Sequence, residues 1–219
     1  MTATDWLMWA RGPAFEIATV IMVMGIIVRI IEIVMMGRKE NLATPRGSAA
    51  AGGFREIAVR TLPQQGVLQR SPFTVVMGYV FHIGLFVVIF LLAPHIAVFS
   101  SIIGLSWPAL PTMIVDAVSV ITILALLAVL IFRLNSKVQR YLSGPMDYVV
   151  WALTFLPLLT GYMAFHRIGF SGPALLAIHI MSVELLMVAF PFTKLSHAFT
   201  LFLARYYNGA VTGLKGIKS

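Results

Sequence analysis

An all-α integral membrane protein is the fold class this sequence predicts: a bundle of five transmembrane helices, N-terminus outside and C-terminus cytoplasmic. Three observations predict it. The 219 residues are 59% hydrophobic and only 11% charged, with a mean hydropathy of +0.93. Four interior stretches are near-continuous apolar runs long enough to cross a hydrocarbon core about 30 Å thick, and a fifth does so with two charges inside it. Lys and Arg gather in three places, 37–72, 133–146 and 194–219, which hold thirteen against two (Arg11 and Arg167) in the other exposed segments. Positive charge favours the cytoplasmic side, so those three regions are assigned there. The net charge of +8 is therefore a topology signal and not a nucleic-acid footprint. The setting it implies is the cytoplasmic (inner) membrane, with lipid around a single membrane domain over 1–219.

The first helix is expected at 14–36. Asp5 and Arg11 precede it, not a basic leader, and no small-residue cleavage site follows. It is expected to be a retained span and not a signal peptide. Arg29 and Glu32, three residues apart inside it, are placed to pair with one another. Segment 37–72 is the longest polar stretch, a basic cytoplasmic loop. Phe54, Ile57, Ala58 and Leu62 recur there at helical spacing with Arg55, Glu56 and Arg60 between them. That pattern predicts a short amphipathic helix on the cytoplasmic surface. It serves either as a docking platform for a cytoplasmic partner or as a basic loop on anionic lipid.

The remaining helices are expected at 73–99, 112–133, 147–166 and 173–203, with a cytoplasmic tail over 204–219. Trp6, Trp9 and Trp107 flank the expected outer ends, and Tyr141, Tyr148, Tyr206 and Tyr207 the inner ends, as an aromatic belt does. The chain has no cysteine. That excludes disulfides, zinc–thiolate sites, iron–sulfur ligation and covalent C-x-x-C-H haem attachment.

Five histidines remain, and none lies in a soluble-looking loop. His82 is about two turns from the cytoplasmic end of the second helix, and His95 near its outer end. His179 is near the outer end of the fifth helix and His197 near its inner end. On one continuous helix the eighteen residues from His179 to His197 make five turns, which puts both imidazoles on one face about 27 Å apart. Two antiparallel helices then offer an inner pair, His82 with His197, and an outer pair, His95 with His179. Imidazole is a common axial ligand of haem iron, and a six-coordinate b haem takes one from each side. Any one membrane histidine also has a plainer reading, a hydrogen bond between helices. Four at matched depths on two helices favour the ligand reading, because ionisable side chains in the membrane are costly without a use.

The outer pair has a geometric difficulty. Thirteen residues turn about 220° beyond whole turns, so His82 and His95 do not share a face of an ideal helix. Pro94 can kink the helix and redirect His95. His166, at the end of the fourth helix, is the competing outer ligand, but its position beside Arg167 suits a surface role.

These residues carry a resemblance. Phe190-Pro-Phe-Thr-Lys-Leu-Ser-His197, with His179 eighteen residues before the last histidine, resembles the fifth helix of the cytochrome b (gamma) subunit of respiratory nitrate reductase. Related anchors of heterodisulfide-reductase-like and sulfite-reduction-associated membrane complexes share the signature. Phe81-His82-Ile83-Gly84 resembles that family's second-helix ligand motif. The resemblance covers roughly 73–207 and implies a dihaem b quinol oxidoreductase subunit, with His82 and His197 on the inner haem and His179 on the outer. In the nitrate reductase subunit a second histidine follows the first by ten residues in helix two. Here that position is Leu92, and His95 is the available substitute. The 37–72 loop is also longer and more basic than in a nitrate reductase anchor. Both departures point to a relative serving a different cytoplasmic enzyme.

The expected function is electron transfer between the quinone pool and a cytoplasmic iron–sulfur partner subunit, through two b-type haems. Quinol is expected near the outer haem, with His95, His166, Arg167 and Ser101 as lining candidates. Arg29 and Lys194 are candidates to neutralise haem propionates, although Lys194 also suits snorkelling to the inner surface. The chain has neither cluster ligands nor a nucleotide motif, so the terminal chemistry falls to another subunit. The competing class is a non-redox membrane anchor or transporter subunit whose histidines relay protons. A transporter more often shows inverted repeats and helices broken at the midplane, and neither is evident in the sequence.

Overall fold

A computed structural model describes residues 2–37, 42 and 44–217. Among them all regular structure is helical. Five helices are long and apolar enough to cross a membrane: Ala3–Met35, Pro72–Leu91, Thr112–Asn135, Pro145–His166 and Gly172–Phe192. This is the architecture of a multi-pass membrane protein. The chain divides into two compact units, Met1–Thr19 with Pro72–Met187, and Val20–Ser71 with Val188–Ser219.

The first span is α1 (Ala3–Trp9) continued by α2 (Phe15–Met35), joined through a π-helical turn over Ala10–Ala14. Gly12 leaves helical geometry there (φ −109°, ψ −107°) and Pro13 follows it. Thr2 caps α1: its hydroxyl accepts from the Asp5 amide at 3.2 Å, and the Asp5 carboxylate accepts from the Thr2 amide at 2.6 Å.

In the first unit, α5 (Pro72–Leu91) packs on α7 (Thr112–Asn135), and α7 on α9 (Pro145–His166). Gly84 makes the α5–α7 approach possible, since a Cβ there would overlap the hydroxyl of fully buried Thr122. Trp151 ties α9 to α7 by donating its indole N–H to the Leu126 carbonyl at 2.9 Å. Ser136 caps the short α8 (Lys137–Leu142) that links α7 to α9.

The expected second helix over 73–99 is two helices. α5 ends at Leu91, Leu92 is extended (φ −82°, ψ 127°), and α6 runs Ala93–Ile103. Pro94 explains the break: it has no N–H and its ring clashes with the preceding turn, so it sits in the first turn of a new helix, where no intrahelical donor is needed. The expected fifth helix over 173–203 is also interrupted. α10 covers Gly172–Ala189, Phe190–Phe192 and Lys194–Ser196 are 3₁₀ turns around extended Thr193 (φ −120°), and α11 begins at His197 and runs to Leu214. Pro191 cannot continue the helical ladder. The five-turn register between His179 and His197, which assumed one continuous helix, therefore does not apply.

In the second unit, α3 (Ala49–Val59) lies along α11. The expected short helix is present, and it packs on α11 through its small residues. Phe54 and Leu62 are exposed, whereas Gly53 and Glu56 are buried. Gly52 meets the backbone of Gly209 and Gly213, Gly53 meets the Tyr206 ring, and Gly209 meets Glu56. Small residues on both helices let the backbones touch, so glycine outranks the apolar side chains in choosing the packed face. The Arg46 amide donates to the Leu214 carbonyl at 2.8 Å and closes this pair at its end. Short helix α4 (Gln65–Arg70) completes the segment. The most basic part of the expected loop, Arg38 and Lys39, and the end of the tail lie outside the described residues.

Candidate functional site

The first unit brings two histidines together. His95, on α6, and His179, on α10, have ring centroids 6.2 Å apart with 17° between the ring planes. The break at Leu92 is what turns His95 toward α10. Each ring is held from behind by a backbone carbonyl. His95 Nδ1–H donates to Val88 O at 2.8 Å, and His179 Nδ1–H donates to Pro157 O at 3.0 Å. Carbonyls only accept, so both neutral imidazoles carry their proton on Nδ1 and their lone pair on Nε2. Such an outer hydrogen bond fixes the tautomer and ring direction of a metal-ligating histidine.

Three further side chains shape the His179 position. Thr160 Oγ1 lies 3.4 Å from its Nδ1 and 3.0 Å from Ser182 Oγ, and Ser182 in turn donates to the His179 carbonyl at 2.7 Å. Gly161 faces the ring: a Cβ there would sit 2.8 Å from His179 Cε1. The glycine thus leaves the imidazole its space.

The pair suits a metal held between two imidazoles. With about 2 Å from metal to each Nε2, and about 1.1 Å from nitrogen to ring centre, a bridging ion separates the centroids by about 6 Å. The two rings are stacked, and offset-stacked rings have centroids about 4.5–7 Å apart, so a 6.2 Å separation fits a stacked pair as well as a bridged one. Among the described residues no three His, Asp or Glu converge on one point. Two imidazoles alone leave most of a metal's coordination unfilled. A porphyrin supplies four equatorial nitrogens of its own, so haem matches a two-imidazole donor set.

His166 is placed elsewhere. Its Nε2 meets Asp116 Oδ1 at 2.6 Å, joining the last residue of α9 to the first turns of α7, and its ring lies 4.4 Å from that of Tyr162. Arg167, next to it, ends α9 in the left-handed conformation (φ 55°). Asp116 and His166 lie fifty residues apart, so no local pattern in the sequence joins them.

His82 belongs to the first unit and His197 to the second. His82 Nδ1–H donates to Gly78 O and His197 Nδ1–H to Lys194 O, each at 2.7 Å. They thus adopt the same tautomer as His95 and His179. In the second unit Arg29 pairs with Glu32 at 2.9 Å and donates from Nε to Pro191 O at 3.1 Å. The guanidinium is thereby tied to the turn that precedes His197. Glu184 is buried in α10 at 8% exposure, and its Oε1 has no hydrogen-bond partner among the described residues.

A cleft of about 530 Å³ opens between α6 and the segment that follows it. Ser100, Ser101, Ser106 and Trp107 line it beside small apolar residues. Of the four quinol-site candidates, Ser101 alone belongs to its wall; His95, His166 and Arg167 do not.

No family model matches this chain, and no solved structure matches it. A protein of Nitratidesulfovibrio vulgaris, whose name states no function, is 34% identical over 137 residues, covering 63% of this chain. The chain matches 60% of that relative's length.

Proposed function

We propose that this chain is a dihaem b-type membrane subunit that carries electrons between the quinone pool and a cytoplasmic iron–sulfur partner, akin to the cytochrome b subunit its motifs resemble. The observation that carries the reading is the His95–His179 pair, parallel and 6.2 Å apart, with each Nδ1 committed to a carbonyl. These two would hold the outer haem; the resembled motifs assign the inner one to His82 and His197. Bound haem supplies reversible one-electron chemistry at iron. Val88 O and Pro157 O keep the two outer imidazoles basic and aimed. Arg29 and Lys194 offset propionate charge at the inner side.

The quinone headgroup is assigned to the cleft beside α6. Ser100 and Ser106 offer hydroxyl donors to ring oxygens, Ser101 donating to the Val98 carbonyl at 2.7 Å, and Trp107 offers an aromatic face, while alanines leave room for the ring. Ser100 is five residues beyond His95 on the same helix, an axial rise of about 7.5 Å. His166 and Arg167 lie outside that wall, and the His166 imidazole is engaged by Asp116. The topology is N-terminus outside and C-terminus cytoplasmic, in the inner membrane. The 37–72 and 133–146 segments then face the partner.

The spectrum of the purified protein tests this. A dithionite-reduced b-type spectrum is expected, and a pyridine haemochrome assay should give two haems per chain. His179→Ala should lower that to one. A colourless protein purified from cells supplied with haem rejects the proposal.

The alternative, a non-redox anchor or transporter subunit with proton-relay histidines, draws on the His166–Asp116 pair and on buried Glu184. It predicts that colourless protein.

A further inference from the structure

The break before His95 leaves a backbone problem at the end of a candidate membrane span. When α5 stops at Leu91, the carbonyls of its last turn lose their helical donors, and apolar surroundings supply no water to replace them. Phe90 is the extreme case. Its ladder partner, four residues on, is Pro94, which has no N–H.

The structure supplies three substitutes. His95 Nδ1–H reaches Val88 O at 2.8 Å, the Leu110 amide reaches Leu91 O at 3.0 Å, and Trp107 Nε1–H reaches Phe90 O at 2.5 Å. Gly104, left-handed at φ 72°, turns the chain at the end of α6 so that Trp107 can return to α5. The indole also lies 5.7 Å from the Phe99 ring, which stacks 5.5 Å from Phe90. Trp107 therefore touches both sides of the hinge: α5 through a hydrogen bond and α6 through a ring.

We propose that Trp107 is a positioning residue for His95: its indole N–H replaces the backbone donor that Pro94 removes, and so sets the angle at which α6 presents the imidazole. The inference rests on the reading of His95 as an outer haem ligand. Its chemistry is one-sided. A phenylalanine keeps the ring contact with Phe99 but has no N–H, so Phe90 O loses its donor. The hinge then relaxes, and with it the angle between the His95 and His179 rings.

The low-spin ferric EPR signal of a bis-imidazole haem depends on that angle and provides the readout, recorded with the redox midpoint. His179→Ala first identifies the outer signal as the one lost. Trp107→Phe should then shift or broaden this signal and move its midpoint, with the inner signal unchanged as evidence of a folded bundle. Phe99→Leu, which loosens the same ring packing and leaves the N–H donor in place, should keep the outer signal near its wild-type position. An outer signal unmoved by Trp107→Phe overturns the proposal, and so does an equal shift in Phe99→Leu. Wild-type protein without haem overturns both this proposal and the functional reading beneath it. Two haems with an insensitive outer signal overturn this one alone.

Discussion

At the scale of single residues, His179 is the most constrained group in the candidate site. A carbonyl holds it at Nδ1, a hydroxyl chain through Thr160 and Ser182 lies along one side, and Gly161 clears its face. Gly161→Ala therefore has a defined consequence. The new Cβ would lie 2.8 Å from Cε1, inside normal contact, so the ring must rotate or retreat. The outer haem should then be lost or its spectrum shifted, with the inner haem intact; an unchanged haem count and spectrum would show that the ring has slack. The competing outer ligands give a second test. His95→Ala should remove the outer haem, whereas His166→Ala should retain it, because the imidazole of His166 is engaged by Asp116 and not by His179. The reverse pattern would transfer the ligand role to His166. The histidines were legible in the sequence because imidazole is rare in lipid and four recurred at matched depths. The carbonyls and the aspartate that orient them were not, since backbone acceptors leave no residue-type signature.

At the scale of elements, proline and glycine decide most of what periodicity missed. Apolar runs give span number and approximate limits, and the five helices long enough to cross follow those runs. They do not reveal that two runs break, because the stretches around Pro94 and Pro191 stay largely apolar. The α3–α11 pair shows the same limit. The apolar spacing of Phe54, Ile57, Ala58 and Leu62 marks a helix but not its contact with α11, which is made through Gly52, Gly209 and Gly213. The four-residue spacing of Gly209 and Gly213 was the available signal, in a segment read as tail. Gly213→Leu tests the packing. Its Cβ would sit 2.7 Å from Gly52 Cα and from Ser48 O, both on backbone that cannot swing aside. Overpacking of this kind costs about 1–3 kcal/mol. Proteolysis within 44–64 should accelerate, while Gly66→Ala, which has open space around it, should behave as wild type. Equal cleavage in the two variants would mean the pair does not protect that segment.

At the scale of the whole molecule, direction across the membrane turns a pair of sites into a function. Charge is the argument for it. Thirteen Lys and Arg in 37–72, 133–146 and 194–219 stand against two in the remaining exposed segments. Five spans require the two termini to lie on opposite sides, and the C-terminal tail lies in the basic set. Under this proposed orientation the 100–111 segment faces outside and the 37–72 segment the cytoplasm. In the proposed function, quinol oxidised at the outer face would release protons outside while its electrons move inward, separating charge across the bilayer; the same ligands serve the reverse flow, from a cytoplasmic donor to quinone. With the opposite orientation the identical residues would release protons inside and lose that coupling. Reporter fusions within 37–72 and after Lys215 should therefore read cytoplasmic, and a fusion within 100–111 external. Reversing the local bias, by placing three lysines in 100–111 and neutralising Arg133, Lys137 and Arg140, should make a fraction of the chains misinsert, because short loops are governed by their positive charge. An external C-terminus in the wild-type chain would leave the His95–His179 pair as it is and reverse every vectorial step built on it.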